Sequence, residues 1–309
     1  MRYDLNDKVV LITGASGGIG AATARALYDR GAYLVLADHN ADAVERLAGE
    51  FDAERVLAAP LDVTDAPATR ALVARAVTRF TRVDVVIANA GIAWRDGPAT
   101  LSSCDEAEFE RIVDVDLFGV WRTVRAALPE VTRNRGQILI TSSIYALLNG
   151  MANAPYAASK AAVATLGRTL RTELAGTGAS AGVIYPGWTA TPIAEIAFGG
   201  NALATRLNAT ALPRLLRARV APETVAEAIV AGLQRRAPRI VVPARWRAVF
   251  ALRGVLDPLL DRWLDGHTQI HGLLRQVAGE KPRADEPRGA PAANDAPAQG
   301  GERLNEHSS

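Results

Sequence analysis

In the run "YAASK", Tyr156 and Lys160 stand four residues apart. On a helix both side chains leave from one face, a turn from each other. A lysine is seldom set on a buried helix face without a partner. A phenol ionises at about pH 10, and an ammonium one turn away favours its phenolate. Such a phenol exchanges a proton with an alcohol or a carbonyl oxygen. A second stretch, "LITGASGGIG" from Leu11 to Gly20, spends four of ten positions on glycine. A glycine turn between a strand and a helix lets backbone approach a pyrophosphate, which the free N–H groups and dipole of the helix favour. The alternative is an ordinary strand-to-helix turn.

These residues need elements to hold them. Short β-branched runs, "KVVLIT", "AYLVLAD", "RVLAAPLD", "VDVVIANAG", "GQILITSS", "ASAGVIYPG" and "PRIVVP", read as strands. Between them lie segments such as "APATRALVARAVTRF", whose apolar residues recur at helical spacing. Alternation of strand and helix predicts an α/β architecture, a doubly wound parallel sheet of about seven strands. After Pro243 the pattern becomes helical and amphipathic, interrupted by Gly254 and Pro258. From residue 280 it is rich in Pro, Gly, Ala and charge, which predicts a disordered tail. The expected divisions are thus 1–243, a helical extension 244–279, and a tail 280–309.

Glycines 14, 18 and 20 follow Thr13 in a T-G-x-x-x-G-x-G spacing. With "ANAG" (Ala88 to Gly91), "TSS" ending at Ser143, "YAASK", and "YPGWTAT" (Tyr185 to Thr191), the chain resembles the short-chain dehydrogenase/reductase family from about Asp4 to Pro243. The resemblance implies a Rossmann-type fold and a nicotinamide dinucleotide as cofactor. It implies Tyr156 as acid/base, Lys160 as the group that lowers its pKa and holds the nicotinamide ribose, and Ser143 as hydrogen-bond partner of the reacting oxygen. Ser142 is the alternative, at a spacing one too long. The implied cofactor-binding set is Gly14, Ser16, Gly18, Ile19, Gly20, Asp38, Asp62, Val63, Asn89, Gly91, Pro186, Gly187 and Thr191, with Tyr156 and Lys160. Asp38 ends "LVLAD", where a carboxylate accepts from both adenosine ribose hydroxyls and repels a 2′-phosphate, so NAD is favoured over NADP. Its alternative is an exposed loop aspartate. Asp62 and Val63 would lie at the adenine, and Thr191 at the carboxamide of the nicotinamide. One position departs from the family: Asp116 stands where an asparagine normally supports the relay to the lysine, and it joins the catalytic set. Ionised, it would partly cancel the effect of Lys160 on Tyr156. Protonated, it would mimic an amide.

The substrate walls expected from the sequence are Trp94, Tyr145, Leu147, Leu148, Met151, Trp188, Ile193, Ile196 and Phe198. They are mostly apolar and suit a hydrophobic secondary alcohol or ketone. The leading reading is an NAD-dependent alcohol dehydrogenase or ketone reductase. The alternative is a non-catalytic dinucleotide-binding sensor or scaffold. An epimerase or dehydratase of the extended relatives is disfavoured by the glycine spacing. The 309 residues carry a net charge of +2, spread along the chain, which does not imply nucleic acid. Cys104 is the single cysteine, fitting a reducing cytoplasm. No signal peptide or membrane span is expected, although Trp246, Phe250, Leu256, Leu260 and Trp263 among arginines allow peripheral membrane contact through 244–264. Packing of that segment on its own domain or a sister subunit is preferred. His267 and His271 have metal-sharing spacing but no third ligand, and read as solvated surface histidines. Residues 109–131 and the helix at 155–176 resemble the pair through which relatives form homodimers and homotetramers.

Overall fold

The computed structural model describes residues 2–191 and 201–279. Seven strands form one parallel sheet: β1 (Val9–Thr13), β2 (Tyr33–Asp38), β3 (Val56–Pro60), β4 (Val85–Ala88), β5 (Gln137–Thr141), β6 (Ser180–Pro186) and β7 (Arg239–Val242). Their order is β3-β2-β1-β4-β5-β6-β7. The chain winds outward from β1 in one direction and, after β3, crosses back to wind outward in the other. The carboxyl ends of β1 and β4 therefore open a crevice at the switch point. The strands read as continuous apolar runs because both faces are covered: every residue of β1, β4 and β5 is buried. Alternation along β1 sends Val10 and Ile12 into one core and Val9 and Leu11 into the other.

Helices on the two faces are α1 (Gly18–Tyr28), α2 (Ala41–Ala48), α3 (Ala66–Phe80), α4 (Glu106–Val113), α5 (Val120–Arg133), α6 (Ala154–Glu173), α7 (Ala202–Ala211), α8 (Arg214–Arg217) and α9 (Pro222–Gln234). Asn40, Asp65 and Asp105 fix where α2, α3 and α4 begin, each side chain accepting a backbone N–H of the first turn. Between α4 and α5 the backbone widens into a π-helical stretch, Asp114–Gly119.

Beyond β7 lie α10 (Trp246–Asp265) and α11 (Thr268–Val277). The expected interruption at Gly254 and Pro258 does not occur, and α10 runs through both. The carbonyl that Pro258 leaves without an intrahelical partner is that of Gly254, on an exposed stretch open to solvent. The first turn of α10 packs on the chain's own sheet. Trp246 is fully buried and stacks on Trp188 with centroids 5.8 Å apart. Phe250 meets Tyr185 edge-on at 4.9 Å. Farther along, Leu252, Val255, Leu259 and Trp263 are exposed. The paired histidines are structural: His267 accepts the N–H of Ile270 at the start of α11, and His271 Nε2 lies 2.8 Å from the carbonyl oxygen of Leu264. Both are half-buried, which corrects the expectation of solvated histidines. No helix among the described residues is long and apolar enough to cross a membrane. The expected tail, 280–309, lies outside the described residues.

Trp246→Ala should cost about 3–5 kcal/mol of stability, as for other large buried aromatics. Leu252→Ala, on the exposed side of the same helix, should stay within about 0.5 kcal/mol of the parent. Urea denaturation checks both. Equal effects would show that α10 does not share the core's cooperativity.

Candidate active site

The crevice at the switch point is a cleft of about 660 Å³. Its floor is the glycine turn. Gly14 has φ +63°, and a Cβ there would meet Ala90 Cα at 2.8 Å. A Cβ on Gly20 would lie 2.2 Å from the Gly14 carbonyl oxygen, so the turn closes on itself only without side chains. Helix α1 then starts without a side-chain cap and without an acidic residue in its first turn. Its free N–H groups and dipole face the cleft, a setting suited to a phosphate anion. Ser16, Gly18 and Ile19 line the same wall.

At the end of β2, Asp38 is held by two backbone donors: Ser16 N–H to Oδ2 at 3.0 Å and Asn40 N–H to Oδ1 at 3.1 Å. Asp62 accepts from the N–H and hydroxyl of Thr64 at 2.8 and 2.7 Å. Burial raises its pKa, but those bonds and the charges of His39 and Arg122 outweigh it, and the carboxyl lies below its ordinary range. Val63 is wedged against Gly119, where a Cβ would sit 2.5 Å from Val63 Cγ2. Asn89 works as a bracket. Its Nδ2 donates to the carbonyls of Thr13 and Gly14, while Oδ1 accepts the Thr141 hydroxyl, tying the ends of β1, β4 and β5. Pro186, Gly187, Trp188 and Thr191 continue the cleft beyond β6.

Tyr156 and Lys160 project from α6 into the cleft. The Lys160 ammonium lies 5.4 Å from the Tyr156 ring centre, 3.5 Å from the Thr141 carbonyl oxygen and 3.0 Å from Asp116 Oδ2. Asp116 is fully buried, and its Oδ1 accepts the Ile92 N–H at 2.7 Å. Oδ2 faces the Lys160 ammonium at hydrogen-bond distance, so charge and hydrogen bonding act together across the contact. The π-helical widening carries Asp116. Asp116 does not line the cleft and acts from behind Lys160. Gly91 is required here, since its Cβ would lie 2.9 Å from Nζ.

Burial lowers the Lys160 pKa, but Asp116 and Tyr156 more than offset it, and the ammonium is held above its ordinary value. Burial pushes the Asp116 carboxyl up, against Lys160 and the Ile92 N–H. Tyr156 departs from the sequence expectation. Burial raises its phenol above the ordinary value and Asp116 adds to the rise, outweighing the lowering by Lys160 and by a hydrogen bond with Ser143. Lys160 thus acts in the expected direction without prevailing.

Hydrogen bonding distinguishes the two serines. Ser142 donates its hydroxyl to the Lys160 carbonyl at 2.6 Å, whereas Ser143 Oγ accepts the Tyr145 N–H at 3.1 Å and remains at Tyr156. Tyr145 lies edge-on to Tyr156 at 5.8 Å, and burial drives its own phenol far up. Trp94 is not on the cleft. It is buried, its indole N–H donates to the Ala152 carbonyl at 3.2 Å, and it walls a smaller apolar chamber of about 40 Å³ with Leu148 and Met151. Leu147 lines neither cavity. Ile193, Ile196 and Phe198 lie outside the described residues. Sequence reasoning missed Asn153, which lines both cavities, and Leu207, Asn208 and Leu260, which line the chamber. Asn153 was findable, being three residues before Tyr156. The others come from distant helices with no local signal. No group of three or more His, Cys, Asp or Glu among the described residues is placed to hold a metal ion.

Residues 8–199 match the short chain dehydrogenase family. The cis-4-hydroxycyclohexanecarboxylate dehydrogenase of Sinomonas cyclohexanicum is 37% identical over 226 residues, 72% of this chain and 88% of that protein. Oxidoreductase UcpA of Escherichia coli K12 is 35% identical over 195 residues, 62% of this chain and 73% of that protein. Among solved structures, a short chain dehydrogenase/reductase from Burkholderia phymatum in complex with NAD matches with a TM-score of 0.73 at 25% identity, over 83% of this chain and 96% of that one. The 3-ketoacyl-(acyl-carrier-protein) reductase from Brucella melitensis complexed with NADH matches with a TM-score of 0.68 at 27% identity, over 77% and 97%. Sheet order, glycine turn and relatives agree that this chain belongs to the short chain dehydrogenase family and is an oxidoreductase that uses a nicotinamide cofactor.

Proposed function

We propose that the protein is an NAD-preferring alcohol dehydrogenase or ketone reductase acting on an apolar secondary alcohol or ketone. The observation that carries the reading is the meeting of Ser143, Tyr156 and Lys160 on one wall of the cleft that the glycine turn opens. Gly14, Ser16, Gly18, Ile19 and Gly20 would receive the pyrophosphate, and Asp38 the adenosine ribose. Asp62 and Val63 would flank the adenine. Asn89, Gly91, Lys160, Pro186, Gly187 and Thr191 would surround the nicotinamide riboside. The bound dinucleotide supplies the hydride acceptor or donor. In the oxidative direction Tyr156 takes the proton of the alcohol at its phenolate oxygen, and the Ser143 hydroxyl donates to the reacting oxygen. Asp116 and Tyr156 both favour the protonated form of Lys160. The retained serine, tyrosine and lysine favour catalysis over a sensor or scaffold role. The apolar walls, Trp188 on the cleft and Trp94, Leu148 and Met151 on the chamber, support an apolar substrate, as does the cyclohexane ring in the name of the Sinomonas relative. Phe118 and Trp121 stand about half exposed within 109–131, which supports association of this face with a second copy as homodimer or homotetramer. A reducing, cytoplasmic setting suits the single cysteine.

A panel of apolar secondary alcohols, followed by nicotinamide absorbance, should yield turnover with the parent. Tyr156→Phe should lower kcat by about 100- to 10,000-fold while cofactor affinity is retained. Equal rates in the two proteins would refute the role of the phenol.

By calorimetry NAD should bind at least about tenfold more tightly than NADP, a difference of about 1.4 kcal/mol, and Asp38→Ala should narrow the gap. Equal affinities in the parent would overturn the assignment of Asp38.

The Asp116 charge raises the Tyr156 pKa. Alcohol oxidation requires the phenolate, so its rate climbs with pH through that ionisation. Asp116→Asn removes the charge and keeps an acceptor for Ile92, so the rising limb should move to lower pH with activity preserved. An unmoved limb would exclude an electrostatic influence of Asp116 on Tyr156. A loss of about a hundredfold or more, about 2.7 kcal/mol of barrier, would assign the carboxylate a different role.

A further inference from the structure

Asn153 stands at the N-cap of α6 yet does not cap it. An asparagine there ordinarily accepts a backbone N–H of the first turn. Here the side chain makes no hydrogen bond among the described residues, and Oδ1 is buried without a partner in a residue 4% exposed. Helix capping therefore does not account for the residue. The backbone before it is held under strain: Ala152, which carries a Cβ, sits at φ +58°. Two hydrogen bonds to the Ala152 carbonyl keep it there, from the Trp94 indole N–H and from the Ala99 N–H, each at 3.2 Å. That arrangement fixes where the Asn153 amide points. It lies on the cleft that holds Ser143 and Tyr156 and also on the adjoining apolar chamber. It stands at the N-cap position, three residues before Tyr156, and lines the cleft with it.

We infer that Asn153 is a specificity residue, hydrogen-bonding a second, neutral polar group of the substrate at the mouth of the chamber while the apolar body lies in the adjoining cleft. The inference rests on the alcohol or ketone reading above. Ser143 and Tyr156 serve the reacting oxygen, so the amide serves another. The group is neutral because no charged residue lines the chamber, whose far wall includes Leu207 and, from the C-terminal extension, Leu260. A carboxylate there would be desolvated without a partner. The substrate class is thus a ring or short-chain alcohol carrying a further hydroxyl or carbonyl oxygen.

The test compares cyclohexanol, the 1,2-, 1,3- and 1,4-cyclohexanediols and 4-hydroxycyclohexanecarboxylate as substrates of the full chain. In the parent at least one diol should exceed cyclohexanol in kcat/KM by about tenfold or more, and the carboxylate should not. In Asn153→Ala and in Asn153→Leu the ratio of diol to cyclohexanol should fall towards one. The side chain contributes no hydrogen bond to the fold, so neither variant removes one. A purely structural role would lower both substrates alike and leave the ratio unchanged. An unchanged ratio, no preferred diol, or a preferred carboxylate overturns the inference. The same ratio read as affinity in the complex with NADH, by tryptophan fluorescence, separates the two readings. Absence of turnover counts against the proposed reaction, while the affinity ratio still decides the role of Asn153.

Discussion

The ion pair between Lys160 and Asp116 is the interaction around which the site is arranged. Two charges at 3.0 Å with almost no exposure give up their hydration, and removing either partner from such a pair costs about 3–5 kcal/mol. The surroundings are shaped to hold both. The π-helical widening brings the carboxylate inward, the Ile92 N–H binds its other oxygen, and the Thr141 carbonyl accepts from the ammonium. Ser142, spent on the Lys160 carbonyl, ties α6 to the end of β5. Gly91 leaves room beside Nζ. The strand ends, the glycine of the "ANAG" turn and the start of α5 are thereby set by one charged contact.

Most of the fold was legible because its signals are local. Seven β-branched runs with both faces covered need no knowledge of distant residues to be read as parallel strands, and the glycine spacing marks the switch point. The shared helix face of Tyr156 and Lys160 was legible from their spacing, while Ser143 was singled out by the family resemblance. What was not legible depended on packing. Burial decides that the Tyr156 phenol sits above its ordinary pKa, and no spacing reports how much solvent is excluded. Trp94 looks like a cleft residue in sequence because it follows the "ANAG" turn, but its indole N–H finds the Ala152 carbonyl and turns it into the chamber wall. Proline at 258 marks a break by local rules, yet α10 passes through it on an exposed face, where the carbonyl that loses its bond is open to solvent. The histidine pair, read in sequence as solvated rather than ligating, is instead half-buried at the joint between α10 and α11.

Charge and apolarity are kept apart within the site. The cleft carries charged residues, among them Asp38, Asp62, Arg95 and Arg111, whereas the chamber beyond Tyr145 has only uncharged lining. Tyr145 stands on the boundary, its ring against Tyr156 and its hydroxyl donating to Asn208 at 3.4 Å. Such a division offers charged and apolar surroundings on the two sides of one phenol.

The stacking of Trp188 on Trp246 joins a cleft wall to the first residue of α10. A ligand that binds against Trp188 only when the two rings are stacked draws on the same free energy that docks the extension. Occupancy of the cleft and docking of α10 are then linked functions: saturation raises the work needed to peel the helix away, by an amount set by ligand concentration over its dissociation constant. Protease resistance at the carboxyl end becomes, through that stack, a gauge of what sits in the cleft.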